Sequence, residues 1–163
     1  MNTSVQAALA AQANHELYAS HSYRAMAIWC DDKDYNGYAK FFYQQAAEEL
    51  EHAEKFIRHL LDRGVLPKLT AIHEPTTEFT RLTELALLAQ TLEQRNSANI
   101  HQCYDVALEV KDFPSFPMLL ELIEEQVEEE SWADTMVNLT KRAECSGAIY
   151  NLDRHIVKEL TGE

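Results

Sequence analysis

The chain has 163 residues, 46% of them hydrophobic, with only four glycines and four prolines and a formal net charge of −13. That length supports one domain, 1–163, with a real hydrophobic core, while the acidic balance excludes nucleic acid and anionic membrane as partners and favours cations. No apolar run approaches the roughly 20 residues of a membrane span, and no signal peptide opens the chain.

Few breakers and long Ala, Leu, Glu and Gln runs predict an all-α domain. Ser4 is read as the N-cap of a first helix running to about Asp32, with Val5, Leu9, Gln12, Glu16, Ala19, Tyr23, Met26 and Cys30 inward. A second apolar stripe on it, Tyr18, Ala25 and Trp29, predicts packing against another subunit. Asp31 to Asp34 form a polar turn, and the second helix then runs to Arg63, with Gly64 as its left-handed terminator. So short a turn makes the first two helices antiparallel neighbours. Tyr38, Phe42, Gln45, Glu49, His52 and Phe56 share the inner face of the second helix.

Residues 64–80 carry Pro67 and Pro75 and no period. A helix of about 28 residues is roughly 42 Å long, and about 17 extended residues reach up to about 58 Å, enough to travel back along it. The segment is therefore a crossover that leaves the second and third helices parallel. Thr80 is the expected cap of a third helix reaching about Lys111, with Leu82, Leu85, Ala89, Glu93, Asn96, Ile100 and Tyr104 inward. Asp112 to Pro117 make the next turn. The fourth helix runs to about Ala143 on an inner face of Leu119, Leu122, Gln126, Glu129, Ala133 and Met136. Ser146-Gly147 break the pattern before a short fifth helix, about 148–160, carrying Ile149, Leu152, Ile156 and Leu160. The bundle proper spans about 4–143. Cys30, Cys103 and Cys145 are odd in number and lack metal-site spacing, which predicts reduced thiols in the cytoplasm.

Each long helix places polar groups on its inner seam near mid-length: Glu16, then Glu49 with His52, then Glu93, then Gln126 with Glu129. The halves repeat, since Glu16 to Glu49 and Glu93 to Gln126 are both 33 residues apart. An ionised carboxylate buried alone costs several kcal/mol or more, so a cation must offset it. Symmetric di-iron bundles use one Glu from each of two helices and Glu-x-x-His from each of the other two. Here Gln126-x-x-Glu129 replaces the second Glu-x-x-His, which predicts one firmly held metal and one loosely held. Taken singly, each residue has a structural alternative: solvated glutamate, hydrogen-bonded core amide, or core tyrosine for Tyr23.

The segments Asn14 to Ser20, Glu48 to His52 and Glu125 to Glu130 closely resemble the metal-binding motifs of the bacterial non-haem ferritins. The resemblance covers nearly the whole chain and implies a ferritin-like four-helix bundle with one long crossover and a short fifth helix. It implies iron storage and detoxification in a cytoplasmic homo-oligomeric cage of about 24 subunits, with Fe²⁺ and O₂ as reactants of a ferroxidase. Residue by residue, Glu16, Glu49 and His52 match the ligands of a first iron. Glu49, Glu93 and Glu129 match those of a second, with Gln126 beside it, and Tyr23 matches a neighbouring tyrosine. Glu48, Glu125 and Glu128, sharing Glu129, match a third iron site.

There are departures from the wider family. The acidic residues of animal three-fold channels align with Phe116 and Leu119, against iron entry by that route. The second helix has no methionine to hold haem, so iron is expected without haem. Two other functions stay open at this stage: a passive iron-storing subunit, and a di-iron oxidase of another substrate.

Overall fold

The computed structural model describes residues 1–162; Glu163, the last residue of the expected domain, lies outside the described residues. Among the described residues are α1 (Thr3–Asp32), α2 (Asn36–Asp62), α3 (Leu82–Glu109), α4 (Phe116–Arg142) and α5 (Ser146–Thr161), with a 3₁₀ turn at Phe113–Ser115 and no strand. α1 packs along α2 and α3 along α4, the pairs meet mainly through α1 and α3, and α5 lies against α2 and α4. No helix is long and apolar enough to cross a membrane.

Residues 64–81 form the expected crossover. It leaves α2 and α3 running the same way: Arg63, just past the end of α2, clamps Asp112, just past the end of α3, by two bonds of 2.6 Å. Ser115 donates to the same carboxylate at 2.6 Å and meets His59 at 2.9 Å, closing that corner of the bundle. Gly64 terminates α2 with φ 74°, and Val65 N–H returns to the Leu60 carbonyl, a left-handed stop that glycine adopts without strain.

Two caps fall elsewhere than the sequence suggests. Asn2, with extended backbone, caps α1 by accepting from Ser4 N–H at 2.8 Å, so the helix begins before Ser4. Arg81, not Thr80, is the first flanking residue of α3; Thr80 instead gives its N–H and hydroxyl to Glu84.

The interior is layered along the bundle axis. One apolar cluster gathers Tyr23, Met26, Tyr38, Phe41, Phe42, Leu85, Trp132 and Met136. A second gathers Val5, Leu9, Phe56, Leu60, Ile100, Leu119 and Leu122. Leu119, whose alignment pointed to a channel wall, is fully buried in this second cluster. Between the two lie Gln12, Glu16, Gln45, Glu49, His52, Glu93, Asn96 and Gln126, all buried. Each long helix thus reads apolar, polar, apolar along its inner face, and the four polar stretches meet at one depth.

α5 is tied down by an unusual cap. No side chain at the start of α2 closes that helix end. Instead Asp153 of α5 accepts the N–H groups of Gly37 at 3.0 Å and Tyr38 at 3.1 Å, placing a carboxylate on the positive end of α2. The approach is close enough that a Cβ on Gly37 would lie 1.7 Å from the Asp153 carbonyl oxygen, so only glycine fits. Asp153→Ala is expected to lose about 1 kcal/mol, or about 2–4 °C of melting temperature for a chain of this size. Gly37→Ala should lose more, because α5 must back away, and limited proteolysis should then cut within 146–161. Circular dichroism melts of both variants check the order.

Candidate metal centre

Three carboxylates reach the centre of the polar layer almost without exposure: Glu16 at 0%, Glu49 at 1% and Glu93 at 1%. Glu49 and His52 are three residues apart on α2 and so share one face of it. With Glu16 from α1 they offer ligand atoms that all lie within 4.8 Å of one another. From α3 comes Glu93, and from α4 come Gln126 and Glu129.

The site has a structured surround. Tyr23 Oη donates to Glu93 Oε1. Gln126 Nε2 lies 3.2 Å from Glu93 Oε2 and 3.1 Å from Ser97 Oγ. The Trp132 indole N–H donates to Glu129 Oε2 at 2.5 Å. His52 Nδ1 lies 3.4 Å from Glu49, while its Nε2 lies 3.0 Å from Glu125 Oε2. A carboxylate on the far nitrogen of a histidine fixes its tautomer and frees the near lone pair for a metal. Gln12 Nε2 bridges Glu16 Oε1 at 2.7 Å and Asn96 Oδ1 at 2.6 Å.

The electrostatics call for a cation. Burial pushes Glu16 and Glu49 well above the carboxylate range; repulsion from Glu49 adds to the first and repulsion from Glu93 to the second. Burial also raises Glu93, against the hydrogen bonds from Tyr23 and Gln126 that lower it. Glu129 rises to about 8, again by burial and then by the charge of Glu93. Among the described residues no lysine or arginine pairs with any of the four. Glu16 Oε2 is buried with no hydrogen-bond donor, and its carboxyl abuts that of Glu49, which repels it unless a proton or a cation lies between them. Carboxylates with one imidazole suit ferrous iron and leave positions for a further ligand.

The acidic residues outside this centre divide. Glu48, Glu128 and Glu129 line one groove of about 580 Å³ with Phe41, Gln45 and Trp132. Glu125, expected to lean with Glu128, is turned to His52 and to Lys55, whose Nζ lies 3.1 Å away. Lys55 neutralises Glu125 and Glu121 across the α2–α4 seam, while Glu48 is raised by burial first and also by the charge of Glu125, which stays near it. Sequence reasoning assigned no role to Gln12, Asn96, Ser97 or Trp132. Gln12 and Asn96 were nonetheless legible as amides on the two polar seams, one turn from Glu16 and from Glu93.

Residues 6–143 match the model of the ferritin-like domain family. The chain is 35% identical to a bacterial non-haem ferritin of Staphylococcus aureus over 150 residues, 91% of this chain and 90% of that one. It is 36% identical to a bacterial non-haem ferritin of Staphylococcus saprophyticus over 157 residues, 96% and 94% of the two chains. Its fold superposes on the crystal structure of an open-pore ferritin from the hyperthermophilic archaeon Archaeoglobus fulgidus with a TM-score of 0.92, at 29% identity and 96% coverage of both chains.

Two outcomes follow from this geometry. Carboxylates whose folded pKa is raised bind protons in the folded state that the unfolded chain has released. Their contribution to stability is therefore complete below the ordinary 4.5 and is lost as pH rises, for Glu129 through about 8. Metal-free protein should accordingly lose melting temperature across that window, and a divalent transition metal should restore most at its upper end, measured by scanning calorimetry. Gln12→Leu removes the donor to Glu16 and strands Asn96; metal affinity should fall about 10–100-fold with the helical circular dichroism spectrum unchanged, as titration calorimetry with Co²⁺ would read.

Proposed function

The chain belongs to the ferritin family, and on that premise we propose that it stores iron, oxidising Fe²⁺ with O₂ at the centre between its two apolar clusters. The observation that carries the proposal is the buried set Glu16, Glu49 and His52, with Glu93 and Glu129 alongside and one Glu16 oxygen left without a hydrogen-bond donor.

Iron here is substrate. Glu16, Glu49 and His52 hold one Fe²⁺. Glu49, Glu93 and Glu129 hold the second, with the Gln126 amide beside it. Glu49 serves both because the charges of Glu93 and Glu129 act on it from one side while Glu16 adjoins it on the other. Paired ions in such sites lie about 3.5–4 Å apart, close enough for one O₂ to meet both. O₂ takes one electron from each Fe²⁺ and two protons from water, leaving as hydrogen peroxide, and the Fe³⁺ hydrolyses to hydrated oxide with release of protons. Carboxylate oxygens favour Fe³⁺ over Fe²⁺, which drives the oxidation. The protons that the metal-free carboxylates carry leave as iron binds.

The chain's own residues set the geometry of these steps. Glu125 orients His52, Gln12 orients Glu16, Trp132 orients Glu129, and Tyr23 holds Glu93 while standing close enough to supply an electron. Glu48, Glu128 and Glu129 give the ferric product a carboxylate-lined groove on leaving, the place of a third iron. The product collects in a homo-oligomeric cage; 24 chains of 18.7 kDa make roughly 450 kDa. The exposed apolar side chains Ile28, Leu66 and Leu69 supply contact surface for such an assembly.

Aerobic addition of two Fe²⁺ per chain to metal-free protein should give a fast rise in ferric absorbance with matching O₂ uptake, in particles of the cage mass by native mass spectrometry. Glu49→Ala should slow the initial rate about 100-fold or more while assembly survives. An unchanged initial rate in that variant would overturn the assignment.

A further inference from the structure

One cavity of this acidic protein gathers an arginine and two histidines in its wall and no acid. It measures about 470 Å³ and lies where the crossover passes over α1 and α3, lined by Asn14, His15, Tyr18, Thr70, His73 and Arg95 together with small and apolar side chains. The chain holds 27 carboxylate side chains, and they line its neighbours: Asp32 and Glu74 the apolar groove further along α1, and Glu48, Glu128 and Glu129 the groove beside the metal centre. Glu74 adjoins His73 in sequence but faces that apolar groove, where Arg24 and Asp32 also stand, and so leaves the cavity of Arg95 without a carboxylate.

The wall is held in place by a clamp unrelated to iron. Asn14 Nδ2 donates to the Lys68 carbonyl at 2.9 Å, and Asn14 Oδ1 accepts from Thr70 N–H at 2.8 Å and from Thr70 Oγ1 at 3.1 Å. This fixes the register of residues 68–73 against α1 and brings His73 to the cavity that His15 and Arg95 already line. Among the described residues Arg95 forms no ion pair, and neither nitrogen of His15 has a hydrogen-bond partner; its Nε2 is buried without one. The wall thus offers N–H groups and a guanidinium charge with no acceptor between them. The arrangement becomes favourable when an anion bridges them.

We propose that this cavity binds a small tetrahedral oxyanion of the phosphate class, accepting the Arg95 guanidinium N–H groups and imidazole N–H groups of His15 and His73. A planar, multi-donor guanidinium is matched to phosphate oxygens, and the wall carries no carboxylate to repel them. The site is separate from the iron ligands although His15 precedes Glu16, because helical geometry turns successive residues about 100° apart.

The test uses the iron-free, assembled protein, so it succeeds or fails independently of any oxidation chemistry. Inorganic phosphate titrated calorimetrically at low ionic strength should bind saturably, one per chain, and acetate should not compete. Arg95→Gln should weaken binding about tenfold or more, with Arg95→Lys intermediate. His73→Ala should weaken it less, with the melting temperature unchanged in all three. Because Arg95 and His73 are exposed, folding is not at stake in these variants. Absence of saturable phosphate heat in the unmodified protein would overturn the proposal, and so would equal affinity in Arg95→Gln.

Discussion

The rest of the molecule depends on the placing of three carboxylates, Glu16, Glu49 and Glu93, in the dry middle of a helical bundle, with Glu129 half-buried at its edge. Left ionised and alone, they would cost more than a domain's whole stability margin. The chain manages this by bracketing the layer with two apolar clusters and by sharing the charge among protons, donors and a cation. Neither cluster spans the bundle alone, so the helices are held at both ends of the site while its centre stays polar. A site fixed from both ends keeps its ligand spacing when the metal leaves, which a reaction that releases its product repeatedly requires.

The outlying ties serve the same end. Arg63 with Asp112 fixes one end of the bundle. Asp153 on the start of α2 fixes the other, on a helix whose Leu152 and Ile156 pack into the cluster that holds Tyr23 and Trp132. α2 carries Glu49 and His52 of the candidate centre, and it is tied at both of its own ends by groups from distant parts of the chain. Those ties limit rotation of α2 about its axis, the motion that would move Glu49 and His52 together away from Glu16.

What the sequence revealed follows the reach of each interaction. Helix faces were legible because burial repeats every 3.6 residues, and the six central residues came from the same periodicity. The caps were less so: Asn2 and Ser4 are both good capping residues two positions apart, and local pattern does not choose between them. Asp153 capping α2 could not be read, because its partners lie 115 and 116 residues away. Glu125 shows a subtler loss. Its spacing from Glu128 placed it with the acidic cluster, but Lys55 and His52 on the facing helix decide which way it turns, and only packing brings those together. Trp132 lay off the inner face read for its helix, and only packing shows its indole filling the cluster of Tyr23 and Phe41 while it bonds Glu129.

The asymmetry between the half-sites gives the oxidation a direction under the proposed reading. In the first half, His52 offers a neutral nitrogen whose other side is fixed by Glu125, and Glu16 is fixed by Gln12, so both ligands are oriented before metal arrives. In the second, Gln126 stands where a glutamate would and Glu129 where a histidine would, and Gln126 Nε2 is already bonded to Glu93 and Ser97. An iron there must draw on Glu93 while Tyr23 and Gln126 hold the same carboxylate, and Glu129 is shared with the Trp132 indole. That half also has no imidazole nitrogen among its residues, and Glu129 is only half-buried. The second iron is thus held less firmly and lies nearer the groove of Glu48 and Glu128. Ferric product therefore leaves from that side first, and the better-oriented half keeps its geometry for the next pair.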